Sequence, residues 1–494
     1  MKNKDSSKKI IILEFILLAL IFVGIPINGL PYKIGIFGEM AFEGPFYVLF
    51  FSIPLYLILS LVLRRKLYIP INYSYIFFVL FIVWVIVGGL VNLDDILSNT
   101  FKGRTGISKF AGQIIVIFFS IIILTFLYNL MKKNGIGKIK KVLSISLILP
   151  FIYSFLEILH GLKIQIVTDF LISIDKYIHA FGILNYLLSE DEFRIRSVSG
   201  EASWFATYLV LIIPWLIRNS FFTKKLIYKF LLAYSLVLTY LTFSRTVYII
   251  ILIQIIFFIY LILKNSQKYS LNMLINETIN FMKKRKAITF ILLLVLLLIL
   301  ILIGIKPFQI IVSLFDNNNL SNTARLSSQI AAIKMGLQNF ITGIGLGQYG
   351  FYMPDFVSEN AVERSTEIAQ WASKEIGSPW PPVHGLYARI FAETGLIGLL
   401  LWLSIWGSLF VTGWNLLKRF NNSEFEKKYD LIFILTVLIG LLFIGFNIDT
   451  FRVTNYYVFI AMAFVFFEEY GETIPRRILS IGAKFKSFVK KEKV

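Results

Sequence analysis

Apolar residues in this chain come in long runs separated by short polar segments. Runs of about 17–25 apolar residues cross a bilayer as helices. The pattern therefore predicts an all-α polytopic membrane protein with about 12 transmembrane helices. The predicted spans are 10–30, 44–63, 73–91, 111–130, 142–159, 202–217, 226–243, 247–263, 288–305, 395–412, 431–446 and 455–467. Four regions follow: residues 1–305 with spans one to nine, a large extracytoplasmic loop at 306–394, spans ten to twelve within 395–470, and a basic cytoplasmic tail at 471–494. A loop as long as 306–394 is more than a connector, and such loops usually carry function. Within it Leu326, Ile330, Ile333, Leu337 and Phe340 recur at helical spacing. They predict an amphipathic helix, either lying on the outer membrane surface or forming the core of a small outer domain.

The charges decide the orientation. With the N-terminus inside, the inner segments, together with Lys229 at the inner end of span seven, hold 33 Lys and Arg against 9 Asp and Glu, and the outer segments hold 16 against 18. Every inner connection is basic, as the positive-inside rule requires for a multi-pass protein of the cytoplasmic membrane with both termini cytoplasmic. The net charge of +20 is thus explained by topology and by anionic lipid headgroups near the tail, and nucleic acid is not an expected partner. Only 16% of residues are charged and 57% are apolar, which a soluble surface cannot accommodate. The chain has no cysteine, so disulfide, zinc and iron–sulfur chemistry have no ligands here. The first apolar run is too long for a signal-peptide core and lacks a small-residue cleavage site after it.

Polar residues gather at the outer helix ends. RIRSVSGEAS brings Arg194, Arg196 and Glu201 to the start of span six. TFSRTVY puts Arg245 in the outer turn between spans seven and eight, and Arg325 opens the amphipathic helix. PWPPVHGLYARIFAETG sets His384 behind a proline run ahead of span ten. Each residue has a plain structural explanation: a lone Arg at a span end snorkels to the headgroups, and Glu201 suits a helix N-terminus. His160 and His179 read as structural, and Glu14 and Glu157, near span ends, as reaching water. GLGQYG at 345–350 fits a dinucleotide fingerprint in letters only. It follows a predicted helix rather than a strand and lies on the outer side, so it reads as a tight turn.

At these residues the sequence resembles the O-antigen ligase and Wzy-type polysaccharide polymerase family. The resemblance runs from about Arg196 to Trp402. It takes in RSVSGEAS, with Ala202 where the family has proline; the Ser244–Arg245 step; Arg325 followed by GIGLGQYG; and His384, with Gly385 where the family often has Asn, then Glu393 and Gly395. It implies transfer of an oligosaccharide from undecaprenyl pyrophosphate to a sugar hydroxyl on the outer face. Arg245 and Arg325 would hold the pyrophosphate with Arg196 assisting, because guanidinium forks bind phosphate oxygens bidentately. His384 would be the general base, with a pKa range suited to neutral pH. Glu201 would orient an arginine or substitute as the base. No metal and no cofactor are expected, since the lipid donor carries its own activated bond.

The favoured expectation is a polymerase of lipid-linked repeat units for a cell-surface polysaccharide of capsule, exopolysaccharide or O-antigen type. Its partners would be the undecaprenyl-pyrophosphate-linked oligosaccharide, membrane lipids and other polysaccharide-assembly proteins. A ligase attaching finished glycan to an acceptor is the near alternative. A lipid-linked oligosaccharide flippase is the alternative of another class, disfavoured because charge is scarce at the span centres.

Overall fold

The structure is a computed structural model that describes residues 2–32, 34, 40–180, 194–223, 225–265, 320–420, 424–471 and 476–479. The expected ninth span at 288–305 and most of the basic tail lie outside the described residues. Each of the other eleven predicted spans coincides with a helix. In chain order the helices are α1 Lys2–Gly24, α2 Gly44–Val62, α3 Tyr73–Val91, α4 Leu93–Ser98, α5 Gly106–Ile145, α6 Ile148–Gly161, α7 Gln165–Ile178, α8 Ala202–Phe222, α9 Leu226–Leu241, α10 Arg245–Asn265, α11 Leu320–Gln338, α12 Tyr349–Phe356, α13 Glu359–Arg364, α14 Thr366–Ala372, α15 Leu386–Arg419, α16 Phe425–Ile444 and α17 Thr454–Glu469. Among the described residues six helices are long and apolar enough to cross a membrane, and α9 is a shorter apolar helix.

The core is made of apolar helices that protein neighbours, rather than lipid, enclose on every side. Helices α8, α16 and α17 are of this kind, with nearly all their side chains buried. Helix α8 packs against α16, α5 against α17, and α3 against α15. Phe81 and Phe451 each lie 5.4 Å from Trp402, centroid to centroid, and Trp406 lies 5.6 Å from Tyr456. Ring pairs of this kind contribute roughly 0.5–1.5 kcal/mol each. The cluster fixes Phe451, and with it the short connection between α16 and α17.

Two glycines interrupt long helices. Gly135 (φ 74°, ψ 162°) breaks α5 inside the basic connector that the charge pattern marks as an inner turn. Gly395 (φ 67°, ψ −169°) breaks α15 where span ten is predicted to begin. A break strips carbonyls of their intrahelical donors, and here neighbours replace them. Ile344 N donates to Ala392 O at 2.9 Å, Gly345 N to Glu393 O at 3.1 Å, and Trp84 Nε1 to Thr394 O at 2.8 Å. Of the 345–350 stretch read as a tight turn, 345–348 turns the chain against the kink, while Tyr349 and Gly350 already begin α12.

Charge and strand pairing tie several connections between helices. β1 (Leu67–Pro70), in the connection between α2 and α3, pairs antiparallel with β4 (Arg476–Leu479) at the start of the tail, Leu67 opposite Leu479. A two-residue hairpin pair, β2 Thr100–Phe101 and β3 Arg104–Thr105, lies in the connection between α4 and α5. Asp430 is ion-paired with Lys140 Nζ at 2.5 Å and Arg218 Nη2 at 2.7 Å, and its Oδ2 accepts the Tyr470 hydroxyl at 2.5 Å.

Two expectations are corrected. Glu14 and Glu157 do not reach water; each is 1% exposed. Glu14 is ion-paired with Arg65, and Glu157 accepts the Ser197 backbone N–H at 2.8 Å. An acid held in this way trades hydration for a partner. The stripe of Leu326, Ile330, Ile333, Leu337 and Phe340 is exposed, and it is Ala324, Ser328, Ala331, Ala332 and Met335 that are buried. The stripe is therefore not the core of an outer domain.

Candidate functional site

Five short segments close around a cavity of about 460 Å³ at the ends of α8, α10, α11 and α15 and the connection from α16 to α17. Its walls carry Arg194, Glu201, Arg245, Arg325, His384 and Asp449, with Arg452 and Asn447 beside them. Four guanidinium groups thus face two carboxylates, an excess of positive charge that suits a polyanion.

Local backbone accounts for each placement. Phe243, at φ 50°, turns the chain sharply after α9, so Arg245 becomes the first residue of α10. An anion beside Arg245 also meets that helix's positive end. Glu201 stands at the N-cap position of α8, yet its side chain makes no capping bond; Ser203 Oγ approaches its Oε2 at 3.3 Å. Arg194 donates from Nε to Thr242 O at 3.2 Å, which ties the approach to α8 to the end of α9.

His384 is held in a strained conformation. Its φ is 60°, a left-handed backbone that costs a non-glycine residue roughly 1–3 kcal/mol. Asp449 Oδ2 accepts the N–H of Val383 at 2.7 Å and of His384 at 3.2 Å, while Gln329 Nε2 donates to His384 O at 2.9 Å. The imidazole packs on Trp371 with centroids 5.3 Å apart. Its Nε2 is buried and has no hydrogen-bond partner among the described residues. Burial pushes the imidazole pKa below its ordinary value; the Asp449 carboxylate opposes this, and the Arg325 guanidinium reinforces it. The ring is thus biased toward its neutral form, the form that accepts a proton.

The structure brings Glu201, Arg245, Arg325 and His384 together in this cavity. Arg196 is not among the residues that line it. Arg196 is fully buried, with Nη2 2.8 Å from Asp175 Oδ1. It secures the 197–200 turn that leads into Glu201. The cation from that segment that does line the cavity is Arg194. The other two histidines are hydrogen-bonded: His160 Nδ1 to Thr168 Oγ1 at 2.8 Å, and His179 to Asp175 Oδ1 at 2.8 Å and Ser197 O at 2.9 Å. Asn447, Asp449 and Arg452 escaped the sequence reading. Their only signal is a polar cluster, NIDTFR, in a connection of a few residues between two apolar runs. Among the described residues no group of three or more His, Cys, Asp or Glu has metal-site geometry.

A second cavity of about 290 Å³ shares Pro382, Asp449, Thr450 and Arg452 with the first.

Residues 230–403 match the family model described as O-antigen ligase. The stretch contains Arg245, Arg325 and His384, and the fold around it is that of a multi-pass membrane protein. No curated protein matches the chain.

Proposed function

We propose that this membrane protein, whose residues 230–403 match the O-antigen ligase family model, is a polymerase of undecaprenyl-pyrophosphate-linked oligosaccharide repeat units, acting on the outer face of the cytoplasmic membrane. The observation that carries the reading is the meeting of Arg245, Arg325, Glu201 and His384 in one cavity. These are the residue types that glycosyl transfer from a lipid pyrophosphate needs.

In this reading Arg245 and Arg325 bind the pyrophosphate oxygens, with Arg194 and Arg452 adding positive charge. Arg196 acts from within the fold by setting the turn before α8. The acceptor hydroxyl attacks C1 of the donor sugar. The C1–O bond to the pyrophosphate breaks, the lipid pyrophosphate leaves with the electron pair, and His384 takes the hydroxyl proton. Glu201 orients an arginine or stands in as the base. A hydrogen bond to a charged group contributes roughly 1.5–3 kcal/mol, so several guanidinium contacts that tighten as the leaving group gains charge supply a large part of the stabilisation. The arginines also supply the positive charge a divalent ion would bring. Transfer by the purified protein in excess EDTA tests metal independence, and complete loss there would reject it.

The glycan profile of a deletion strain tests the assignment. A polymerase leaves single repeat units on the surface. The second reading, a ligase, draws support from the description of the matching family; its loss leaves long lipid-linked chains unattached. Transport of substrate between leaflets by purified protein, without any new glycosidic bond, would overturn both.

A further inference from the structure

The second cavity differs in character from the first. Its charges are largely matched. Glu393, 2% exposed, accepts Arg389 Nε at 3.1 Å and the Tyr349 N–H at 3.4 Å, and Arg389 Nη1 donates to Asp449 O at 2.6 Å. Lys109 and Gln113 line the opposite side, on the first turns of α5. Lys109 Nζ sits 4.4 Å from the ring centre of Trp380. The glycine turn makes the remaining wall. A Cβ on Gly347 would come within 3.2 Å of Gln113 Cγ, and one on Gly350 within 2.4 Å of the Trp380 ring. Their lack of side chains lets Gln113 and Trp380 pack directly against the backbone of this wall. Lys109, Arg389 and Arg452 line the cavity against Glu393 and Asp449. With the Gln113 amide and an aromatic edge it therefore offers donors and acceptors to hydroxyl groups with a smaller positive excess than the first cavity, where four guanidinium groups face two carboxylates. The two share the Asp449–Arg452 wall, and Asp449 is the residue that holds the His384 backbone.

From this contrast we infer that the second cavity is the acceptor-sugar subsite, and that it delivers a saccharide hydroxyl to His384 across the Asp449 wall while the donor pyrophosphate occupies the first. The inference rests on the glycosyl-transfer reading. The glycine-rich turn is then a wall of the acceptor chamber as well as a cap on the α15 kink.

The test uses the full chain in lipid nanodiscs. The donor is the lipid-linked glycan extracted from the host's membranes, and the acceptor is the free oligosaccharide released from that glycan by mild acid. Gln113→Leu removes the amide while keeping volume, and Lys109→Met removes a partly exposed charge. Each is expected to raise the acceptor KM about ten-fold and leave the donor KM within two-fold, with Arg245→Ala giving the opposite split. If both variants fold and transfer but leave the acceptor KM unchanged, or raise the donor KM instead, the chamber assignment falls and the transfer reading stands. If the wild-type protein binds both glycans and makes no glycosidic bond, the transfer reading falls and takes the subsite with it.

Discussion

His384 carries the sharpest test at the scale of single residues. His384→Ala should reduce polymer in cells to background, and normal polymer would remove the imidazole from the mechanism. Only the neutral ring accepts a proton, so activity is lost as pH falls through the His384 pKa. Burial places that pKa below the ordinary 6.5, so the acid limb of the rate profile should lie below pH 6.5. Removing the Asp449 charge takes away a term that raises this pKa. Asp449→Asn should therefore move the limb lower still, and by loosening the His384 backbone slow transfer about ten-fold. Arg245→Lys and Arg325→Lys should each cost about 10- to 100-fold in kcat/KM, since an ammonium cannot form the two-pronged contact. Wild-type rates would instead mark a headgroup-facing cation. The four cavity residues legible in the sequence were legible because a polar group ending an apolar run stands out. Arg194 and Arg196 fit the pattern equally well. The choice between them depends on Asp175, whose place on α7 no local spacing reveals. Asp449 and Arg452 look like solvated charges in a short connector until the aromatic cluster under Phe451 is seen to fix them.

Among the elements, the α15 kink is the most exacting. A Cβ on Gly395 would lie 2.1 Å from Ile341 O, and one on Gly343 2.4 Å from Thr394 N, both at positive φ. Gly395→Ala and Gly343→Ala should each cost about 1–3 kcal/mol or more, seen as a lower midpoint of thermal unfolding in detergent; an unchanged midpoint would contradict the packing. Helix positions were readable because apolar length is a strong signal, and the Gly395 break coincides with the predicted start of a span. The burial of individual faces was not. The exposed leucine and isoleucine stripe of α11 has the pattern of a soluble core, but when lipid is the solvent that pattern points outward. Helix α7 was hidden in a predicted loop because it is short and part polar.

For the molecule as a whole, the absence of cysteine allows a clean test of the predicted topology. Lys374 and Lys225 are both exposed. Lys374→Cys should react with a membrane-impermeant maleimide in intact cells, and Lys225→Cys only after permeabilisation; the reverse pattern would invert the orientation. The pairing of β1 with β4 already sets the start of the tail beside the connection between α2 and α3, as a shared inner side requires. The cavity's five wall segments begin at Arg194 and end at Arg452, just ahead of the last helix. A chain still emerging from the ribosome therefore has no finished anion pocket until its final hairpin is inserted. Premature termination anywhere upstream should leave a membrane protein whose pocket lacks the Asp449 and Arg452 wall.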